Sequence, residues 1–197
     1  MSGPSAGPEP PSIDGFRDLV KIGQGGFSTV YAATQEGIER RVAIKVLDLG
    51  FSDEHRFRRE CRTLGSLSGV HGIVPVLQAT FSSAGQPCIV MQLMDGGSLS
   101  QRTRSTGPLS PIDVVRNGAV LCRALQVAHD RRIFHRDIKP ENVLFSGNDA
   151  AIADFGIALV DDMESRSQTM DSISPPHAPP ERRTDDQLHR QMAVGRW

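Results

Sequence analysis

The chain has little of what marks a secreted, membrane-spanning or nucleic-acid-binding protein. Its 197 residues hold three cysteines, Cys61, Cys88 and Cys122, scattered and odd in number. No disulfide ladder or zinc spacing emerges from them, so each reads as a small buried hydrophobe in a reducing, cytoplasmic setting. No apolar run reaches the roughly 18 residues needed to cross a bilayer. The N-terminus lacks a basic start followed by an apolar stretch, so no signal peptide is expected. Charge of one sign is missing too: 22 basic against 23 acidic residues leave a formal net charge of −1. Such a balance draws in neither nucleic acid nor an anionic membrane, and any phosphate binding must be local. Internal repeats are absent. What remains is a soluble chain long enough for one ample domain or two small lobes.

Residues 1–12, MSGPSAGPEPPS, are nearly all Gly, Pro, Ser and Ala and read as a disordered tail. Three strands are expected over 16–22, 28–34 and 41–49, the third with Val42, Ile44 and Val46 alternating against Ala43, Lys45 and Leu47. Ser52 caps an expected helix in which Phe57, Leu64 and Leu67 form a stripe ended by Gly69. Glu60 falls on that stripe, where a carboxylate is costly unless paired. A hairpin over 74–81 and 88–93 leads to a glycine joint, Gly96-Gly97, and a short helix after Ser98. A longer helix starts at Ser110-Pro111, with Val115, Ala119, Cys122, Leu125 and His129 on one face. His129 reads as a helix-end residue rather than a ligand. A small hairpin over 143–145 and 151–153 follows, then a long hydroxyl-rich loop over 157–181 and a polar, aperiodic stretch over 182–197.

Four segments carry chemistry. The turn Gly23-Gln24-Gly25-Gly26-Phe27-Ser28-Thr29-Val30 lets backbone N–H groups approach phosphate oxygens without obstruction by Cβ atoms. A strand follows it, unlike a dinucleotide-binding turn, and no Gly-Lys-Ser/Thr makes it a Walker loop. Taken alone it is equally an ordinary hairpin. Lys45 sits inside an apolar strand, either on its exposed face or as a partner for Glu60 beside a polyphosphate. In His135-Arg136-Asp137-Ile138-Lys139-Pro140-Glu141-Asn142, Asp137 can accept or orient a hydroxyl proton, Lys139 can balance phosphoryl charge, and Asn142 offers a hard oxygen to Mg²⁺. Asp154-Phe155-Gly156 adds a second carboxylate on a turn. A charged surface loop and a capping Asp are the plain alternatives, which the order of all four segments disfavours.

GQGGFSTV, VAIK, HRDIKPEN and DFG together resemble the eukaryotic-type protein kinases, most of all their bacterial serine/threonine branch, over residues 13–181. The resemblance implies an α+β, two-lobe protein-kinase-like fold: an antiparallel-sheet N-lobe with one helix over 13–94, and a mainly helical, incomplete C-lobe over 95–181. It implies ATP and Mg²⁺ as cofactors. Ile22, Gly23, Gln24, Gly25, Gly26, Phe27, Ser28, Thr29, Val30, Ala43, Lys45, Met91, Leu93 and Leu144 are then the ATP-binding residues. Lys45, Glu60, Asp137 and Lys139 become catalytic, and Asn142 and Asp154 bind the metal. Met91 falls at the gatekeeper position and Gln92, Leu93 and Met94 at the hinge. The function implied is transfer of the γ-phosphoryl of Mg·ATP to protein Ser/Thr hydroxyls, autophosphorylation included, with room for a dimer in that step. Ser165, Ser167, Thr169, Ser172 and Ser174 are candidate acceptors.

The chain departs from the family at Ser174-Pro175-Pro176-His177-Ala178-Pro179-Pro180-Glu181. There Ile173, Ser174 and Pro179 stand where the pattern has Gly, Thr and Ala. Residues 182–197 do not resemble the helices that follow in the family, and they read as an atypical tail. The alternative to an active kinase is therefore a weak or inactive remnant that binds nucleotide or a partner. A small-molecule phosphotransferase of the same fold is a third reading.

Overall fold

Alternating side chains in the third expected strand decide the architecture of the first half of the chain. The computed structural model describes residues 9–26, 28–48 and 54–155. Readings that fall on residues 1–8, Phe27, the Ser52 cap, Gly156, the loop over 157–181 and the stretch over 182–197 lie outside the described residues. Strands β1 (Phe16–Gln24), β2 (Ser28–Gln35), β3 (Arg40–Leu47), β4 (Val76–Phe81) and β5 (Pro87–Gln92) form one antiparallel sheet in the order β1-β2-β3-β5-β4. β3 lies at its centre, and its period of two sends neighbouring side chains to opposite faces. Val42, Ile44 and Val46 pack with Ile13, Phe16, Cys88 and Val90 on one face. Ala43 and Leu47 pack with Phe57 and Cys61 of helix α1 (Glu54–Gly65) on the other. Lys45 shares the α1 face with Ala43 for that reason.

α1 is anchored by Phe57, fully buried and edge-on to Phe81 with ring centroids 5.4 Å apart. Burial of such a ring contributes roughly 1.5–3 kcal/mol. The helix stops at Gly65, earlier than the expected Gly69. Leu67 continues the apolar pattern from a turn instead, and is buried there against Ile73 and Ile152.

Helix α2 (Leu99–Thr106) opens on a capping box: the Ser98 hydroxyl accepts from the Gln101 N–H, and Gln101 Oε1 accepts from the Ser98 N–H. Helix α3 (Pro111–Asp130) begins with Ser110 as cap, Pro111 in its first turn and Asp113 near the positive end of its dipole. Of the face expected from Val115, Ala119, Cys122, Leu125 and His129, Leu125 alone packs, half-buried against the cluster that holds Ala124 and Ala128. Val115 is 67 % exposed, and Ala119, Cys122 and His129 are exposed as well. Asn117, Ala124 and Ala128 are buried instead. Small side chains at 124 and 128 let the helix approach Gly72 and Ile152 closely, and that fit outweighs the larger residues on the other face. Cys122 is consequently exposed, which corrects the expectation of three buried thiols, while Cys61 and Cys88 are buried.

A single 3₁₀ turn (Pro140–Asn142) leads into β6 (Val143–Ser146), which reverses through Gly147, at φ +56°, into β7 (Asp149–Ile152). Together they make a second, two-stranded sheet. It is stitched to the first half of the chain twice. Gly96 and Phe145 are joined by a 2.8 Å bond from Gly96 N–H, while Ile152 receives Val74 N–H and donates to Gly72, both at 2.9 Å. No helix among the described residues is long and apolar enough to cross a membrane.

Candidate active site

Between the two sheets lies a cleft of about 800 Å³. One wall is the end of β1 and the start of β2, contributing Ile22, Gly23, Gln24, Gly25, Ser28 and Val30, with Ala43 from β3. Met91, Gln92, Leu93 and Met94 close the back, and Leu144, Asn142, Lys139 and Asp154 form the opposite wall. The turn itself is held by Gly25 N–H donating to Ser28 O at 2.8 Å. A Cβ at Gly26 would meet nothing within 4 Å, and at Gly23 only the Val30 side chain at 3.8 Å. Neither packing nor a left-handed backbone demands glycine at these two positions, and the missing Cβ atoms leave the backbone there open to close approach.

Asp137 and Asp154 come from loops locked to each other by a buried imidazole. His135 is 2 % exposed and stacks edge-on to Phe155, with ring centroids 4.7 Å apart. Its Nδ1 accepts the Asp137 N–H at 3.2 Å, which leaves Nε2–H to donate to Ala153 O at 2.6 Å. Asn142 O accepts Ala153 N–H at 2.8 Å, closing the link. Arg136 and Asp154 hold φ of +64° and +62°. Left-handed backbone at a non-glycine residue costs about 1–2 kcal/mol, and it persists because these bonds over-determine it.

The charged groups then fall into two pairs. Lys45 Nζ lies 2.8 Å from Asp154 Oδ1, with the lysine side chain 18 % exposed. Lys139 Nζ lies 2.6 Å from Asp137 Oδ2, and Asn142 Nδ2 donates to Asp137 O at 2.8 Å and to Oδ2 at 3.2 Å. The hydrogen bond from Lys139 holds the Asp137 carboxyl below its ordinary value, and the same contact raises Lys139. Glu141 is likewise lowered, first by its own backbone N–H and then by the Ser100 hydroxyl. Glu60 is half-buried on α1, where its charge adds to burial in pushing the neighbouring Cys61 thiol up to about 11.

The expected residues assemble unevenly. Lys45 lines a small cavity of about 30 Å³ behind Met91, which shares Asp154 with the main cleft. Gly26 and Thr29 belong to the turn but do not line the cleft, and Asp137 reaches it through Lys139 and Asn142. Ala32, Arg41, Asp95, Ser98, Gln101, Arg104, Glu141 and Ala153 also line it and were not among the expected residues. Of these, Ser98 as a helix cap after a glycine joint and Glu141 as a member of the His135–Asn142 motif left a sequence signal of their place.

The family model described as "Protein kinase domain" matches residues 16–194. The chain belongs to the protein kinase family. It is 41 % identical over 149 residues to serine/threonine-protein kinase PknK of Mycobacterium tuberculosis, covering 74 % of this chain and 13 % of that one. With PknD of the same organism it shares 35 % over 179 residues, covering 88 % and 27 %. With the probable kinase PknB of Corynebacterium glutamicum it shares 34 % over 144 residues, covering 70 % and 22 %. The chain thus spans about an eighth to a quarter of the curated relatives it matches. A crystal structure of Rad53 residues 1–466 in complex with AMP-PNP shares the fold, with a TM-score of 0.64 and 24 % identity over 72 % of this chain and 38 % of that one. The kinase fold is therefore established for this chain: an antiparallel sheet with one helix, followed by helices and a hairpin.

Proposed function

We propose that this kinase chain transfers the γ-phosphoryl of ATP to Ser/Thr hydroxyls of proteins, including its own. The observation that carries the proposal is that Lys139, Asn142 and Asp154 line one side of a cleft whose other wall is the glycine turn, with Lys45 paired to Asp154 and Asp137 to Lys139 and Asn142. In this reading residues 13–94 form the N-lobe and 95–181 part of the C-lobe. Ile22, Gly23, Gln24, Gly25, Ser28, Val30, Ala43, Met91, Leu93 and Leu144 enclose the nucleotide, Gly26, Phe27 and Thr29 complete the turn over its phosphates, and Lys45, steadied by Glu60, faces them.

Asp137, ionised at neutral pH, orients the acceptor hydroxyl and receives its proton as the oxygen bonds to the γ-phosphorus and ADP departs. Lys139 balances charge on the transferred group. Asn142 and Asp154 suit Mg²⁺, which binds through one or two protein oxygens plus substrate phosphates rather than in an all-protein cage. Asn142 Nδ2 is committed to Asp137, so the atom that Asn142 offers an ion is Oδ1. Bound there, the ion neutralises phosphate charge. Three free thiols accord with a cytoplasmic protein, and autophosphorylation between two copies belongs to the same proposal.

Incubation with labelled ATP and a generic protein substrate tests the assignment. Transfer should exceed that of Asp137→Asn by at least about a hundredfold, the scale of a lost acid–base group. Equal signal from the two proteins refutes it. A nucleotide-dependent rise in melting temperature without transfer would mark a binding module instead.

A further inference from the structure

Arg102 sits on a short helix that buries none of its residues, yet its guanidinium engages three separate elements. Nε donates to Gly96 O at 2.9 Å, Nη2 donates to Gly147 O, and the guanidinium carbon lies 4.0 Å above the centroid of the Phe145 ring. Beneath it, Gly96 N–H donates to Phe145 O at 2.8 Å and Phe145 N–H to Gly97 O at 2.9 Å, and Ser98 bridges Leu144. There is no room for another side chain at this point. A Cβ at Gly96 would lie 2.5 Å from Arg102 Nη2 and 2.9 Å from Phe145 O.

We propose that Arg102 is a positioning residue for nucleotide binding. By clamping the Gly96–Gly97 joint to β6, it fixes the cleft wall that carries Leu144. This inference rests on the reading of the cleft as a nucleotide site. The clamped backbone is that wall: Asp95, Gly97, Ser98, Gln101 and Leu144 all line the cleft. Left to itself, a joint of two glycines, one at φ +72°, has no fixed spacing from the hairpin. A planar fork can bond two carbonyls and stack on a ring at once, which a lysine ammonium cannot. Arg102 does not touch the expected phosphate or hydroxyl positions, so it acts on affinity and not on the chemical step.

The test uses the full chain with Arg102→Met and Arg102→Lys, each titrated with Mg·AMP-PNP by calorimetry. Backbone exchange at Gly96 and Phe145 is followed in parallel. Arg102→Met should weaken nucleotide binding about tenfold, equivalent to ~1.4 kcal/mol, and Arg102→Lys should recover little of it. Exchange should quicken at Gly96 and Phe145 but not at Ile152, whose N–H bonds Gly72. Where phosphoryl transfer is measured, KM for ATP should rise while kcat holds. Should Arg102→Met not fold, Arg102→Lys carries the same comparison. Wild-type affinity in a folded variant overturns the clamp alone. An unmutated chain that binds no nucleotide overturns both the clamp and the function it serves.

Discussion

Replacing Gly72 by alanine should unfold the protein more readily than its modest chemistry suggests. Gly72 has φ +91°, and a Cβ there would lie 2.9 Å from Val120 Cγ1, 3.0 Å from Ala124 Cβ and 3.3 Å from Val120 O. The backbone conformation alone costs a non-glycine residue about 1–2 kcal/mol. Pushing α3 away from the loop adds an overpacking term of about 1–3 kcal/mol. Relief is hard, because Gly72 O holds Ile152 N–H at 2.9 Å, and Ala124 and Ala128 are buried in the same cluster. The expected loss is roughly 3 kcal/mol, or about 6–12 °C in Tm for a chain of this size. Gly118→Ala is the matched control. It lies inside α3 with nothing within 4 Å of its Cβ position, so it should gain about 0.5–1 kcal/mol. Urea denaturation of the three proteins, with m-values compared, decides the matter. A Gly72→Ala protein within about 0.5 kcal/mol of the original, the usual span of harmless surface changes, would refute the packing argument.

The thiols should divide two to one. Burial pushes Cys61 and Cys88 up to about 11, so at pH 8 a thiol reagent should label exposed Cys122 rapidly and the other two only on unfolding. Asp137 provides a pH prediction with a definite sign. Its folded value lies below the ordinary 3.8, so its pairing with Lys139 is present above that pH and is lost as pH falls through the lower folded value. Both side chains are largely exposed, so the effect belongs in the titration of Asp137 rather than in global stability. Carboxyl-carbon NMR should show the midpoint rising in Lys139→Ala; an unmoved midpoint would exclude Lys139 as the cause.

The strands were readable because period-two alternation in Arg40–Leu47 is a local signal that burial then enforces, while their register and order came only with the structure. Helix starts at Ser98 and Ser110 were readable for a similar reason, since capping chemistry is written in neighbouring residues. The buried face of α3 was not. Its choice depends on Gly72 and Ile152, residues distant in sequence whose close approach rewards Ala124 and Ala128 over larger side chains. The sequence motifs announced Asn142 and Asp154 of the cleft wall, whereas Arg41, Gln101 and Arg104 reach the cleft through chain geometry that no motif encodes. His135 shows the same divide. Its place in the motif was plain, but its part as the buried tie between two loops needed coordinates.

The β6–β7 hairpin is tied to the first half of the chain near both of its ends, by Gly96 with Phe145 towards the tip and by Ile152 with Gly72 and Val74 at the base. Along its length Ala151 and Ala153 share one apolar cluster with Ala43, Ile89 and Met91, and Leu144 packs against it. A strip fastened at both ends and seated in between behaves as a brace rather than a flap. Leu144 can shift only if the sheet behind it shifts as well.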